Sequence, residues 1–147
     1  MKVCIPTATG GHLTQVLNLL EAFGECDISF ITLDSPRTRE LPYKTYLFEP
    51  IGASAWQMLK SVPRILSILW RERPDVVFSA GAEIAVPVFY IARLLGAKTI
   101  FVETVNRVDK PTWTGRLVYP ITDLFLVQHP QMLSRYGRKA RYEGSVI

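Results

Sequence analysis

The sequence predicts an α/β protein: a parallel sheet with helices on both faces, folded as a single Rossmann-like domain over residues 1–147. Three observations predict it. Short apolar runs bounded by turn residues alternate with stretches of helical period. Polar, glycine-containing or charged segments follow several of the apolar runs, where the loops at the carboxyl ends of parallel strands would lie. A chain of 147 residues, 48% hydrophobic and 20% charged, is long enough and apolar enough to bury a core without staples.

In order along the chain, Lys2 to Pro6 reads as the first strand and Thr7 to Gly11 as a glycine-containing turn. His12 to Phe23 reads as a helix, because Leu13, Val16, Leu17 and Leu20 recur at helical spacing. Ile28 to Leu33 is the second strand. Asp34 to Lys44, with its prolines and charges, reads as a loop, and Thr45 to Phe48 as a short strand. Ser54 to Glu72 is helical, and Pro63 is expected to kink or divide it. Asp75 to Ser79 is a strand. Ile84 to Leu95 is an almost wholly apolar helix in which Pro87 is tolerable only in the first turn. Lys98 to Glu103 and Leu124 to Gln128 are strands, and Gln131 to Tyr136 a short helix. Three segments that follow strands then fall along one edge of the sheet: Thr7 to His12, Ser79 to Glu83, and Glu103 to Lys110.

Composition removes several function classes. The opening Met1-Lys2-Val3-Cys4-Ile5-Pro6 is too short for the apolar segment of a signal peptide. No stretch approaches the roughly 20 apolar residues of a spanning helix, so a soluble or peripheral protein is expected. Cys4 and Cys26 lie in or beside apolar runs without metal-ligand spacing, which fits buried thiols in a reducing cytoplasm. The net charge of +4 implies mild attraction to anionic surfaces. The basic residues lack interleaved aromatics, which argues against nucleic acid.

Three places carry chemistry. In Thr7-Ala8-Thr9-Gly10-Gly11-His12 the glycines let the backbone turn sharply, and the helix start behind them offers free N–H groups to a phosphate. His12 there can bond that phosphate or take a proton. The turn lacks the spacing of a dinucleotide fingerprint and the lysine of a P-loop, and a plain strand-to-helix turn fits it as well. On a wheel of Ala55 to Glu72, Ala55, Met58, Leu59, Val62, Ile65, Leu66 and Leu69 fall on one broad face. Lys60, Arg64 and Arg71 fall opposite, Trp56 and Trp70 at the border, and Ile68 is an apolar exception on the polar side. Tryptophan at such a border beside a cationic stripe suits a lipid headgroup region; an ordinary helix packed on its own sheet shows the same pattern. Third, Phe101-Val102-Glu103 ends a strand with an acid that can act as a base or bind sugar hydroxyls. Asn106 and Arg107 follow it, and arginine suits phosphate.

Taken together, these segments resemble a known family. The resemblance rests on Gly10-Gly11-His12, on Arg73-Pro74-Asp75-Val76-Val77 leading into Ser79-Ala80-Gly81, and on Phe101-Val102-Glu103-Thr104-Val105-Asn106-Arg107. It continues through Thr114-Gly115-Arg116-Leu117-Val118-Tyr119-Pro120 and Asp123-Leu124-Phe125-Leu126-Val127-Gln128-His129-Pro130. The chain is similar to the membrane-anchoring, acceptor-side subunit of the split N-acetylglucosaminyltransferase of asparagine-linked glycosylation, and to relatives of that subunit in bacterial polysaccharide synthesis.

The resemblance implies the N-terminal half of a GT-B glycosyltransferase and a hexosyltransferase active only as part of a heteromeric complex. A second small subunit would carry the nucleotide-sugar site, and this chain would present a polyprenyl-diphosphate-linked acceptor. No cofactor or bound metal is implied. His12 and Glu103 become the catalytic candidates, and Thr9, Gly10, Gly11, Asn106 and Arg107 the acceptor- or phosphate-binding ones. The eukaryotic members carry an N-terminal spanning helix and this sequence begins at its first strand. Attachment to the cytoplasmic face of a membrane would then fall to Trp56, Lys60, Arg64, Trp70 and Arg71. Two rival readings remain at this stage: a non-catalytic scaffold that recruits a complete enzyme, and a stand-alone nucleotide-binding module.

Overall fold

All six strands expected from the sequence form in a computed structural model that describes residues 1–50 and 54–144. They are β1 (Lys2–Thr7), β2 (Asp27–Leu33), β3 (Lys44–Phe48), β4 (Val76–Ser79), β5 (Lys98–Val102) and β6 (Leu124–Val127), joined by a seventh, β7 (Ala140–Tyr142). The order across the sheet is β3-β2-β1-β4-β5-β6-β7, and every pairing is parallel. The chain winds outward from β1 to β3, then crosses back to lay β4 on the other side of β1. Neighbouring connections diverge at β1 and β4, which leaves a crevice above their carboxyl ends.

The helices are α1 (Gly11–Leu19), extended by a 3-10 turn over Leu20–Phe23, then α2 (Pro36–Arg39), α3 (Ala55–Glu72), α4 (Ala85–Leu94), α5 (Trp113–Val118) and α6 (Leu133–Tyr136). They cover both faces of the sheet. Leu13 and Val16 of α1 seal Val3, Ile5, Phe30 and Phe78 on one face. On the other, α3 and α4 close over Cys4, Ile31, Val77, Phe101 and Phe125. Phe30, Phe89, Phe101 and Phe125 are fully buried, each contributing on the order of 2–3 kcal/mol of transfer free energy.

Three expectations need correction and one omission is filled. Asp34 to Lys44 is not all loop, because α2 starts there. Ser35 caps it by accepting from the Thr38 amide, the Thr38 hydroxyl answers the Ser35 amide, and Pro36 fills the first turn. The segment around residues 113–118 also forms a helix, α5, capped by Thr112 Oγ1 accepting from the Gly115 amide at 2.9 Å.

Nor does Pro63 divide α3, which runs unbroken from Ala55 to Glu72. Met58 and Ser61 before the proline and Ile65, Ile68 and Leu69 after it are all buried, so packing clamps both halves onto one surface. The Leu59 carbonyl that loses its donor belongs to an exposed residue, where water can replace the missing bond.

The buried face of α3 is also rotated from the wheel. Ile68, placed on the polar side, is 4% exposed, whereas Leu59 and Leu66, placed with the core, are 64% and 43% exposed. The reason is that α3 packs against the sheet and α4 together. The expectation for Pro87 holds: it lies in the first turn of α4.

Candidate functional site

Glycine at position 10 is required locally, because its φ of 74° is a left-handed backbone value that side chains resist. That turn delivers His12 to the start of α1, directly after β1. From the far side of the crevice comes the turn after β4. There the Ser79 hydroxyl donates to the Pro6 carbonyl at 2.7 Å and accepts from the Gly81 amide at 3.2 Å. The two strand ends are thus tied together, and the His12 ring lies on the Gly81 backbone with Nδ1 3.2 Å from the Ala80 carbonyl.

A cavity of about 340 Å³ opens here, lined by His12, Gly81, Ala82 and Glu83 on one side and Thr104, Asn106, Arg107 and Thr112 to Thr114 on the other. His12, Asn106 and Arg107 therefore share one wall system, as the sequence predicts. Thr9, Gly10 and Gly11 form the turn immediately before His12 rather than the cavity wall itself. Arg37, from α2, reaches the same turn: its guanidinium donates to Thr14 Oγ1 at 3.0 Å and approaches the Gly10 carbonyl at 3.5 Å.

Glu103 stands behind this wall, 1% exposed. Its carboxyl oxygens accept from the Thr104 amide, the Thr112 amide and the Thr112 hydroxyl at 2.9–3.0 Å, and from the Tyr136 hydroxyl. Burial, then the charge and hydrogen bond of Glu103, push the Tyr136 phenol well above its usual value. Gly115 makes this knot possible. A Cβ there would collide with the Tyr136 hydroxyl and come within 2.7 Å of Glu103 Oε2.

The loop that carries Asn106 and Arg107 is thereby pinned at both ends, by Glu103 and by Thr112. It is pinned in between by His129, whose Nε2 is 2.7 Å from the Val105 carbonyl. Sequence reasoning missed Glu83, Trp113, Arg37 and Tyr136. Glu83 sits in a segment already marked as strand-end, but the others are brought in from helices that the sequence reading leaves out or from far along the chain.

The tryptophan-flanked helix has three sectors rather than two. Beyond its buried face, Trp56, Leu59, Pro63, Leu66 and Trp70 form an exposed apolar ridge, and Lys60, Arg64 and Arg71 follow beyond it. Cations lie over the aromatic rings: Lys60 Nζ is 5.6 Å from the Trp56 ring centre and the Arg73 guanidinium 4.9 Å from that of Trp70. Arg64 packs 4.0 Å over Phe48. Among the described residues no helix is long and apolar enough to cross a membrane, and none of their His, Cys, Asp and Glu side chains group as a metal site.

Residues 29–146 match the family model described as "Oligosaccharide biosynthesis protein Alg14 like". The chain belongs to that family. The Alg14-like relatives include the UDP-N-acetylglucosamine transferase subunit ALG14 of Eremothecium gossypii, 28% identical over 99% of this chain and 80% of the relative. The human subunit of the same name is 24% identical over 100% of this chain and 83% of its own length. Among solved structures, MurG of Acinetobacter baumannii superposes with a TM-score of 0.79 at 16% identity, over 99% of this chain and 46% of MurG. UDP-GlcNAc 2-epimerase of Methanocaldococcus jannaschii gives 0.74 at 21% identity, again over 46% of the solved chain. The fold is that of a GT-B N-terminal half, and this chain spans just under half the length of those solved proteins.

Proposed function

We propose that this Alg14-like chain is the acceptor-side subunit of a two-component glycosyltransferase. It would take a sugar from a nucleotide sugar held by a second polypeptide and pass it to a polyprenyl-diphosphate-linked acceptor. The observation that carries this reading is the convergence of His12, Asn106 and Arg107 on one open cavity, above the carboxyl ends of β1, β4 and β5. Family membership and the names of the relatives as UDP-N-acetylglucosamine transferase subunits support it.

In the transfer step the acceptor hydroxyl oxygen bonds to the anomeric carbon as the bond from that carbon to the nucleotide diphosphate breaks. The hydroxyl proton passes to His12 Nε2. Arg107 and the free amides at the start of α1 face the acceptor diphosphate. Glu103, sealed from the cavity, acts by holding the loop of Asn106 and Arg107. The ridge on α3, with Lys60, Arg64 and Arg71 beside it, rests on anionic lipid at the cytoplasmic face and keeps the acceptor within reach.

Co-expression with a second Rossmann-like subunit and a transfer assay on membranes test the proposal. His12→Ala and Arg107→Ala should each lower turnover by about 10²-fold or more, while the two subunits still co-purify. Unchanged turnover in both variants would leave the chain a scaffold.

A further inference from the structure

The turn after β4 does more than close the crevice. Gly81 has φ of 114° and Ala82, although it carries a side chain, 112°. Positive φ at a non-glycine residue is a strained state that surrounding structure must hold in place. The Ser79 hydroxyl holds it, accepting from the Gly81 amide at 3.2 Å and donating its one hydrogen to the Pro6 carbonyl at 2.7 Å, with the Gly81 carbonyl 3.1 Å away as the alternative acceptor. The space where a Gly81 side chain would begin is filled by the His12 ring. A Cβ at that point would be 2.8 Å from His12 Cε1 and 2.9 Å from Nδ1, closer than carbon and nitrogen tolerate without movement.

The ring thus lies against bare backbone, with Nδ1 3.2 Å from the carbonyl of Ala80. A carbonyl only accepts, so in the neutral imidazole the hydrogen must be on Nδ1. The other nitrogen is left as a lone pair on a residue that lines the cavity.

We propose that Gly81 is a positioning residue whose missing side chain seats His12 in its Nδ1–H tautomer and presents Nε2 as the proton acceptor of the transfer step. The catalytic half of this statement rests on the function proposed above; the tautomer half does not.

The chain carries its own control. Its two histidines are held by backbone carbonyls through opposite nitrogens, His12 through Nδ1 to Ala80 and His129 through Nε2 to Val105. A long-range proton–nitrogen correlation spectrum of the uniformly labelled chain, at a pH where both rings are neutral, should show one histidine of each tautomer. His12→Gln identifies the Nδ1–H set. In Gly81→Ala the His12 pattern should shift towards the Nε2–H form or a mixture, with His129 unchanged as the sign that the fold persists. Ser79→Ala, which releases the turn without adding a side chain, should move the His12 pattern in the same direction.

A wild-type His12 protonated on Nε2, or a pattern untouched by both substitutions in a folded chain, overturns the proposal. In the assembled transferase, Gly81→Ala should lower kcat by about 10²-fold with KM for the acceptor within about twofold, the signature of a misplaced base. Should the tautomer prove correct while Gly81→Ala and His12→Ala both turn over normally, the seat stands and the assignment of His12 as base fails.

Discussion

At Glu103 the nature of a buried acid is decided by what surrounds it. Four donors converge on its two oxygens, and the hydroxyl of Tyr136 arrives from a helix 33 residues along the chain. Tyr136→Phe removes one donor and leaves the others. It should cost about 1–2 kcal/mol of stability in urea denaturation and loosen the Asn106–Arg107 loop. Gly115→Ala, which forces Tyr136 and Glu103 apart, should cost at least as much, about 1–3 kcal/mol.

Glu72 is a second acid with a legible pH signature. Burial pushes its pKa up, but hydrogen bonds from Lys44 and Tyr46 outweigh that and hold it below the ordinary glutamate value. A carboxyl with a lowered folded-state pKa stabilises fully above the unfolded value and loses that contribution as pH falls through the folded one. The stability gap between the wild type and Glu72→Gln should therefore be open at neutral pH and close below about pH 4. Of the candidate residues, His12, Asn106 and Arg107, which line the cavity, were readable because each follows a strand. The burial of Glu103 was not, since nothing in Phe101-Val102-Glu103 reveals that Thr112 and Tyr136 fold back onto it.

Among the elements, α3 shows most plainly where periodicity stops. Its span follows from the sequence, but a wheel fixes only relative angles. Which sector turns inward depends on the neighbours, here the sheet and α4. Ile68→Ala should cost about 2–4 kcal/mol in thermal or urea unfolding, while Leu59→Ala should stay within about 0.5 kcal/mol. Equal effects would mean that the helix is rotated from its described position.

The strands were legible because each holds a short, mostly apolar run bounded by turn or charged residues, even where a buried Thr7, Ser29, Thr32, Ser79 or Thr99 interrupts it. By contrast, β7 has three residues with Arg141 in the middle, too short and too charged to show a pattern. The six-residue α5 contains Gly115, which lowers any helical signal; its Thr112 cap was the available clue. The capping serine and first-turn proline of α2 were likewise present in Ser35-Pro36, masked by the charges around them.

At the scale of the whole molecule, the cavity and the ridge are on different sides of a rigid frame, and their relation constrains how the protein would sit on a bilayer. In a parallel α/β fold the helices run opposite to the strands. The amino end of α3, with Trp56, therefore lies towards the cavity edge of the sheet, and Trp70 towards the far edge. Fourteen residues separate the two, about 21 Å along the axis. With Leu59, Pro63 and Leu66 exposed between them, the ridge is a continuous rail, which favours a helix lying flat over one standing on its end. On the proposed membrane reading, the strand axes would run along the surface and the cavity would open sideways at headgroup level, where a lipid-linked diphosphate would be found.

Trp56, Trp70 and Trp113 are the chain's three tryptophans, so variants that retain one each report depth directly. On anionic vesicles carrying quenchers at graded depths, Trp56 and Trp70 should be quenched from similar shallow positions, and Trp113, in the cavity wall, more weakly than either. Binding should weaken as salt screens Lys60, Arg64 and Arg71 over a Debye length of roughly 10 Å at 0.1 M. A Trp56 much deeper than Trp70 would tilt the molecule onto its cavity edge and turn the opening down into the bilayer. Quenching of Trp113 alone would remove α3 from the membrane altogether.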